Sequence, residues 1–141
     1  DVNYKGQYFA CKYGLAQMVK QGAGGVVIIV ASVTALTGTT PNVSYSTGKA
    51  GLVNLARHIA VHYGDQGIRA NSICPGAVER TPDHDDHPDP EGREVTAINR
   101  VPLNRLGTPE DIAPFIMFLA TADASYATGA NFVIDGGLTV I

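Results

Sequence analysis

The chain has 141 residues, of which 45% are hydrophobic and 16% are charged, and its formal net charge is −3. This length and composition allow one hydrophobic core and exclude a disordered chain. The slightly acidic balance gives no basic footprint for nucleic acid, and no apolar run reaches the roughly 18 residues that a membrane span needs.

The predicted elements alternate between helices and strands. The first helix begins near Asn3 and ends in the glycine-rich stretch "QGAGG" (21–25). The strand "GVVIIVAS" (25–32) follows, and its continuous run of β-branched residues is typical of a strand buried on both faces of a parallel sheet. A loop then leads into a long helix with an apolar stripe, which is expected to stop near Gly64 and Gly67.

The rest of the chain repeats this alternation. The strand "IRANSICPG" (68–76) ends in a Pro-Gly turn, and a polar, proline-rich surface loop (77–94) follows it. A helix with Thr108 as N-cap and Pro109 in its first turn precedes the last strand, "ANFVIDGG" (130–137). The order of elements predicts an α/β fold, a Rossmann-like doubly wound parallel sheet of about three strands with flanking helices.

Three side chains are candidates for proton transfer. Tyr45 and Lys49 are four residues apart, so a helix places them on one face. An ammonium near a phenol favours the phenolate, which suits a general acid/base at neutral pH. Ser32 ends the first strand, and ligands of open parallel sheets gather at the carboxyl ends of the strands. The Pro75-Gly76 turn ends the next strand, so its backbone is expected to line the same crevice.

These features also have structural explanations. A tyrosine and a lysine at this spacing usually form a solvated pair, and serine is common at strand ends. His58 and His62 are also four residues apart, and we interpret them as helix-packing or surface residues rather than metal ligands. The loop segment "DHDDHPD" (83–89) contains two histidines and four acidic residues, which is more typical of a solvated loop than of a metal site. We therefore expect no metal ion.

The motifs taken together resemble the short-chain dehydrogenase/reductase family. In chain order they are "VNYKG", "IIVASV", "YSTGK", "IRANSICPGAV", "LNRLGTPEDIA" and "TGANFVIDGG". The resemblance covers almost the whole chain and is closest to the branch that contains 3-oxoacyl-carrier-protein reductases and glucose dehydrogenases. It implies an oxidoreductase that uses NAD or NADP and transfers a hydride between the nicotinamide and a small carbonyl or alcohol substrate.

The resemblance also implies a role for each motif residue. Tyr45 is the acid/base toward the substrate oxygen. Lys49 binds the nicotinamide ribose, and Ser32 steadies the substrate carbonyl. Asn3 holds a water in the proton relay to solvent. Tyr45 and Lys49 also contact the cofactor. The other cofactor contacts come from the turn after the second strand and from the residues just beyond it: Pro75, Gly76, Val78 and Thr81. Thr81 stands one position later than the corresponding threonine in many relatives.

Members of the family begin with a strand and a glycine-rich phosphate-binding turn of the form TGxxxGxG, and the 141 residues do not contain this motif. We therefore expect residues 1–141 to be a single partial domain, the catalytic C-terminal half of a longer enzyme. The absent N-terminal half would bind the dinucleotide phosphates and select NAD or NADP. The resemblance further implies a homotetramer, in which the long helix and the helix near Asn3 form a four-helix contact and the C-terminal strand forms a second contact.

Two other functions stay open. One is a non-catalytic binding or scaffold module with the same fold, and intact Ser32, Tyr45 and Lys49 argue against it. The other is a metal-dependent hydrolase built on the histidine-rich loop, which lacks an ordered ligand spacing.

The two isolated cysteines, Cys11 and Cys74, have no disulfide or zinc spacing, so we expect reduced thiols in a cytoplasmic protein. From the net charge and the absence of a long apolar run, we also expect a protein that binds neither nucleic acid nor membrane.

Overall fold

The computed structural model describes residues 2–38, 42–79 and 98–140. Within these ranges the helices and strands follow the predicted order: α1 (Gln7–Gln21), β1 (Gly25–Val30), α2 (Val43–Tyr63), β2 (Ile68–Pro75), α3 (Pro109–Ala120) and β3 (Asn131–Ile134). The strands form a parallel sheet in the order β1-β2-β3. The predicted Rossmann-like sheet is confirmed. No helix in these described ranges is both long and apolar enough to cross a membrane.

The start of the first helix differs from the prediction. Val2–Gly6 form a π-helical turn, and the regular α-helix begins only at Gln7. π-helical turns are rare and occur frequently at functional sites. α1 ends at Gln21, and the glycine that follows, Gly22, has a φ of 63°, in the left-handed region that glycine adopts without steric cost.

The core lies on both faces of the sheet, because successive side chains of a strand point to opposite faces. One cluster of buried side chains comes from β1, β2, α1 and α2: Leu15, Ile29, Leu52, Ala56, Ile59, Ile68 and Ala70. Another combines β2 with α3 and the segment that follows it: Ile73, Ile112, Leu119 and Ala124. α1 and α2 therefore cover one face and α3 covers the other, which is the doubly wound arrangement.

The sheet brings the carboxyl ends of its strands together. The N–H of Ala31, just after β1, donates to the carbonyl of Ile73 at 2.7 Å. The N–H of Gly76, just after β2, donates to the carbonyl of Ile134 at 3.0 Å. The residues that follow the strands therefore meet at one edge of the sheet, where the sequence predicted a crevice.

The segment after β2 is held by a short parallel bridge. The N–H of Glu79 donates to the carbonyl of Gly107 at 2.8 Å, and the N–H of Gly107 donates to the carbonyl of Ala77 at 2.9 Å. The Arg105 guanidinium, close to this bridge in sequence, donates to the Asp111 carboxylate at 2.6 and 2.9 Å. The first turn of α3 is thereby joined to the bridge that follows the Pro-Gly turn.

Asp111 also caps α3. Its carboxylate accepts the N–H of Thr108 at 2.8 Å, and Pro109 stands at the first helical position, so the predicted N-terminal signal is confirmed. The Arg105 guanidinium, together with this N–H, holds the pKa of the Asp111 carboxyl well below its ordinary value. The pKa is therefore depressed in the folded protein relative to the unfolded chain.

This depressed pKa gives a prediction for acid stability. The ionised carboxylate stabilises the fold above the unfolded pKa of about 4, and this contribution is lost progressively as the pH falls through the folded pKa. We expect Asp111→Asn to lower the urea midpoint of unfolding at about pH 7, and to lower it less at about pH 3. Asp123→Asn, at an exposed position, is the control and should change little. An equal loss at both pH values would contradict the assignment.

Candidate active site

Ser32 lies two residues beyond the end of β1 and is buried, with 8% of its surface exposed. It caps a short 3-10 turn, Val33–Ala35, and its Oγ accepts hydrogen bonds from the backbone N–H and the hydroxyl of Thr34 at 3.2 and 3.1 Å. In both of these hydrogen bonds from Thr34, the Ser32 Oγ is the acceptor. Its own O–H can therefore donate to the oxygen of a ligand.

Tyr45 and Lys49 lie in the first two turns of α2. The Asn42 side chain caps this helix by accepting the N–H of Tyr45 at 3.0 Å. The Lys49 Nζ lies 5.7 Å from the centre of the Tyr45 ring, so the two side chains share one face. The same Nζ donates to the carbonyl oxygen of Val30 at 3.0 Å. This bond ties the ammonium to the strand end that precedes Ser32.

Lys49 is a buried cation, with 8% of its surface exposed. Burial lowers its pKa, because a desolvated ammonium loses hydration, whereas the nearby Cys74 acts in the opposite direction. Burial also raises the pKa of the Cys74 thiol. The described residues take one of the three N–H donors of the lysine, so the others can turn to a ligand.

A cavity of about 550 Å³ opens at this edge of the sheet. It is lined by the strand ends, by the turn after β2 and by α3: Val30, Ala31, Ser32, Pro75, Gly76, Val78, Pro109, Ile112, Ala113 and Ile116. The structure thus brings Ser32 together with three of the residues predicted to meet the cofactor. Tyr45 and Lys49 are not among the lining residues, and the contact with Val30 connects them to the cavity.

Gly76 stands at a close approach between two strand ends. A Cβ at this position would lie 2.7 Å from the Cα of Asp135, just after β3. Glycine has no Cβ, and it is the residue that allows a turn to approach another backbone so closely. The Pro-Gly turn therefore determines how β2 and β3 meet beside the cavity.

The π-helical turn, Val2–Gly6, lies beside α2. A Cβ on Gly51 would lie 2.8 Å from a ring carbon of Tyr4, so this tyrosine packs against α2 at Gly51. The structure describes the backbone of Asn3 in this turn and not its side chain. The predicted proton-relay role of Asn3 therefore stays a prediction.

Two further sequence predictions lie outside the described residues. These are the assignment of Thr81 to the cofactor and the solvated segment 83–89. Among the residues that are described, no group of three or more His, Cys, Asp or Glu side chains could hold a metal ion.

Several parts of the site were not predicted from the sequence. Ile112 and Ile116 of α3 line the cavity, and only their spacing of four residues indicated a shared face. Thr34 is the partner of Ser32, and the Val30 carbonyl is the partner of Lys49. A backbone acceptor leaves no signal in the sequence, because every residue carries one.

Comparisons with known proteins identify a family model and similar curated proteins. The family model described as enoyl-(acyl carrier protein) reductase matches residues 1–139. L-rhamnose 1-dehydrogenase (NAD(P)(+)) from Sphingomonas sp. (strain SKA58) is 43% identical over 139 residues, which are 99% of this chain and 54% of that protein. The chain thus spans about half the length of the curated relatives that it matches.

Solved structures share the fold. A short-chain type dehydrogenase/reductase from Mycobacterium marinum has a TM-score of 0.88 at 33% identity, covering 100% of this chain and 55% of that one. A structure from Agrobacterium tumefaciens with bound NADP has a TM-score of 0.90 at 31% identity, covering 100% of this chain and 57% of that one.

Proposed function

The chain belongs to the short-chain dehydrogenase/reductase family, and we propose that the whole protein is an NAD(P)-dependent oxidoreductase. It transfers a hydride between the nicotinamide and a carbonyl or alcohol carbon of a small substrate. The observation that carries this proposal is the bond from the Lys49 Nζ to the Val30 carbonyl. It joins the tyrosine and lysine of α2 to the serine-bearing strand end beside a cavity.

The residues present fit the nicotinamide end of NAD or NADP. The cavity has the volume of a small-molecule site, and the side chains of Pro75, Val78 and α3 give it a mostly apolar lining suited to a flat ring. Lys49 has N–H donors that can bind ribose hydroxyls. When bound, the nicotinamide supplies the hydride chemistry.

In this proposal the side chains of the chain handle the oxygen and the proton. The Ser32 O–H donates to the substrate oxygen and orients it. Tyr45 takes the proton of the alcohol during oxidation and returns it during reduction. The Lys49 ammonium lies 5.7 Å from the centre of the Tyr45 ring and so places its positive charge beside this proton-transferring group. The roles of Asn3 in proton relay and of Thr81 at the cofactor are supported by the family resemblance alone.

A homotetramer is proposed for the whole protein. The described surface of α1 and the turn before it carries a row of aromatic rings with centroids 5.7 to 6.3 Å apart: Tyr4, Tyr8, Phe9 and Tyr13. These four side chains are 39–67% exposed. A patch of exposed aromatic rings is typical of a subunit contact, which supports the expected four-helix interface.

We also propose a cytoplasmic protein that binds no nucleic acid, as the composition suggests.

An activity assay tests the proposed function. The whole protein is mixed with NAD or NADP and a panel of sugars and secondary alcohols, which includes L-rhamnose because a similar protein is named for it. We expect at least one substrate to give reduced nicotinamide, followed by its absorbance, and Ser32→Ala to slow that reaction. A folded protein that binds the cofactor but oxidises and reduces nothing in the panel would favour the scaffold function instead.

A further inference from the structure

We propose that the hydroxyl of Thr34 is a positioning group, which turns the O–H of Ser32 toward the substrate oxygen. The inference rests on the proposed function, because it concerns the hydrogen bond that Ser32 donates in that reaction. Ser32 lines the cavity, and Thr34 is not among the lining residues. Thr34 therefore acts through Ser32 and does not itself contact the reacting atoms.

The Ser32 oxygen has a donor for each of its acceptor positions. A hydroxyl oxygen carries two lone pairs and one hydrogen. The backbone N–H of Thr34 donates to this oxygen at 3.2 Å, and the Thr34 hydroxyl donates to it at 3.1 Å. With both lone pairs occupied, the O–H of Ser32 points away from the two donors. It is then available to a ligand oxygen in the cavity, instead of rotating among several directions.

The turn that carries Thr34 is held by its own backbone and by the core. The N–H of Ala35 donates to the carbonyl of Ser32 at 3.0 Å, and the N–H of Leu36 donates to the carbonyl of Val33 at 2.9 Å. The Val33 side chain is buried in a core cluster with residues of α2 and β2. Threonine is β-branched, and its χ1 angle is restricted. The hydroxyl is thus a preorganised donor on a fixed segment.

The two donors to Ser32 depend on the sequence in different ways. The backbone N–H is present with any residue other than proline at position 34, whereas the second donor requires a hydroxyl side chain. Thr34→Val keeps the N–H and the branched shape but removes the hydroxyl. Thr34→Ser keeps the hydroxyl and removes only a methyl group. The two variants therefore separate the hydrogen bond from the shape of the side chain.

The kinetic test uses the whole protein and a substrate identified by the activity panel. We expect Thr34→Val to lower kcat/KM by about 3–10-fold, the size of one net hydrogen bond, with unchanged affinity for the cofactor. Thr34→Ser should restore most of the rate. In a Ser32→Ala background, Thr34→Val should lower the rate no further, because no serine hydroxyl is left to orient.

Thr37→Val is the matched control. Thr37 stands just beyond the same turn, and its hydroxyl donates to the carbonyl of Val33 at 3.3 Å rather than to Ser32. This variant also loses a threonine hydroxyl, and its kcat/KM should stay near that of the wild type. An equal loss in Thr34→Val and Thr37→Val would overturn the proposal, because the turn as a whole would then determine the rate.

A second readout needs no turnover. The carbonyl product is labelled with ¹³C and bound together with the oxidised cofactor, so that no hydride can be transferred. A hydrogen bond donated by Ser32 moves the carbonyl resonance to higher frequency. We expect this shift to shrink in Thr34→Val and to return in Thr34→Ser.

A Thr34→Val variant with wild-type kcat/KM and an unchanged resonance would overturn the proposal. So would a full Thr34→Val effect in the Ser32→Ala background, since Thr34 would then act on another group. In both cases the wild type still transfers hydride, so the proposed function stands. A wild type that transfers no hydride with any substrate of the panel would instead contradict the proposed function, and the inference would fall with it.

Discussion

Tyr45→Phe in the whole protein is expected to lower kcat by about 10²–10⁴-fold, the range contributed by a positioned general acid/base. The substitution removes the phenolic hydroxyl and keeps the ring, which lies 5.7 Å from the Lys49 Nζ. The affinity for the cofactor and the free energy of unfolding should therefore change little. Steady-state rates, cofactor binding by fluorescence and urea unfolding measure the three quantities.

Tyr63→Phe is the matched control for this substitution. Tyr63 ends the same helix and packs against the core cluster formed by α1, α2 and the sheet, so it loses the same hydroxyl far from the strand ends. Its kcat should stay near that of the wild type. A Tyr45→Phe variant that keeps most of its kcat would show that another group transfers the proton, and the role assigned to Tyr45 would be wrong.

Lys49→Met should separate activity from stability. We expect a fall of about 10²–10³-fold in kcat/KM, as for the loss of one preorganised donor in an active site. Methionine keeps an unbranched apolar side chain but lacks the ammonium, so the bond to the Val30 carbonyl and the charge beside Tyr45 are both lost. Binding of the cofactor should weaken as well, since the donors assigned to its ribose are gone.

The free energy of unfolding of the Lys49→Met variant is not expected to fall along with its activity. Burial lowers the pKa of Lys49, so the charged form costs free energy in the folded protein at every pH below that pKa. Methionine removes this cost, and the free energy of unfolding should stay the same or rise. Lys20→Met, at an exposed position on α1, is the control and should affect neither property. A parallel loss of stability and activity would indicate that Lys49 acts mainly in the fold.

The parts of the fold that depend on local patterns could be predicted from the sequence. The β-branched run of β1 gives a strand of the parallel sheet, and the spacing of Tyr45 and Lys49 places them on one helical face. The prediction that β1 is buried on both faces was wrong for the described residues, because β1 lies at the edge of the described sheet and only Ile29 of its six residues is buried. Thr108 followed by Pro109 marks the start of α3 at the correct residue. Each of these signals lies within a few residues of the feature that it predicts, so no knowledge of the tertiary structure is needed.

The features that the sequence did not reveal depend on distant contacts. The lysine bond to Val30 spans 19 residues, and the approach of Gly76 to Asp135 joins two strand ends. The π-helical turn at Val2–Gly6 replaces a predicted regular helix, and it lies where Tyr4 packs against α2. Periodicity cannot predict such a turn, because its neighbours come from another part of the chain.

The most direct test of the proposed reaction follows the hydride. A substrate identified by the activity panel is prepared with deuterium on the carbon that is oxidised, and the whole protein converts it in the presence of the cofactor. We predict that the deuterium appears in the reduced nicotinamide with the wild type, and that Tyr45→Phe forms almost none of this product. Deuterium released into water, or equal product from the two proteins, would contradict hydride transfer assisted by Tyr45.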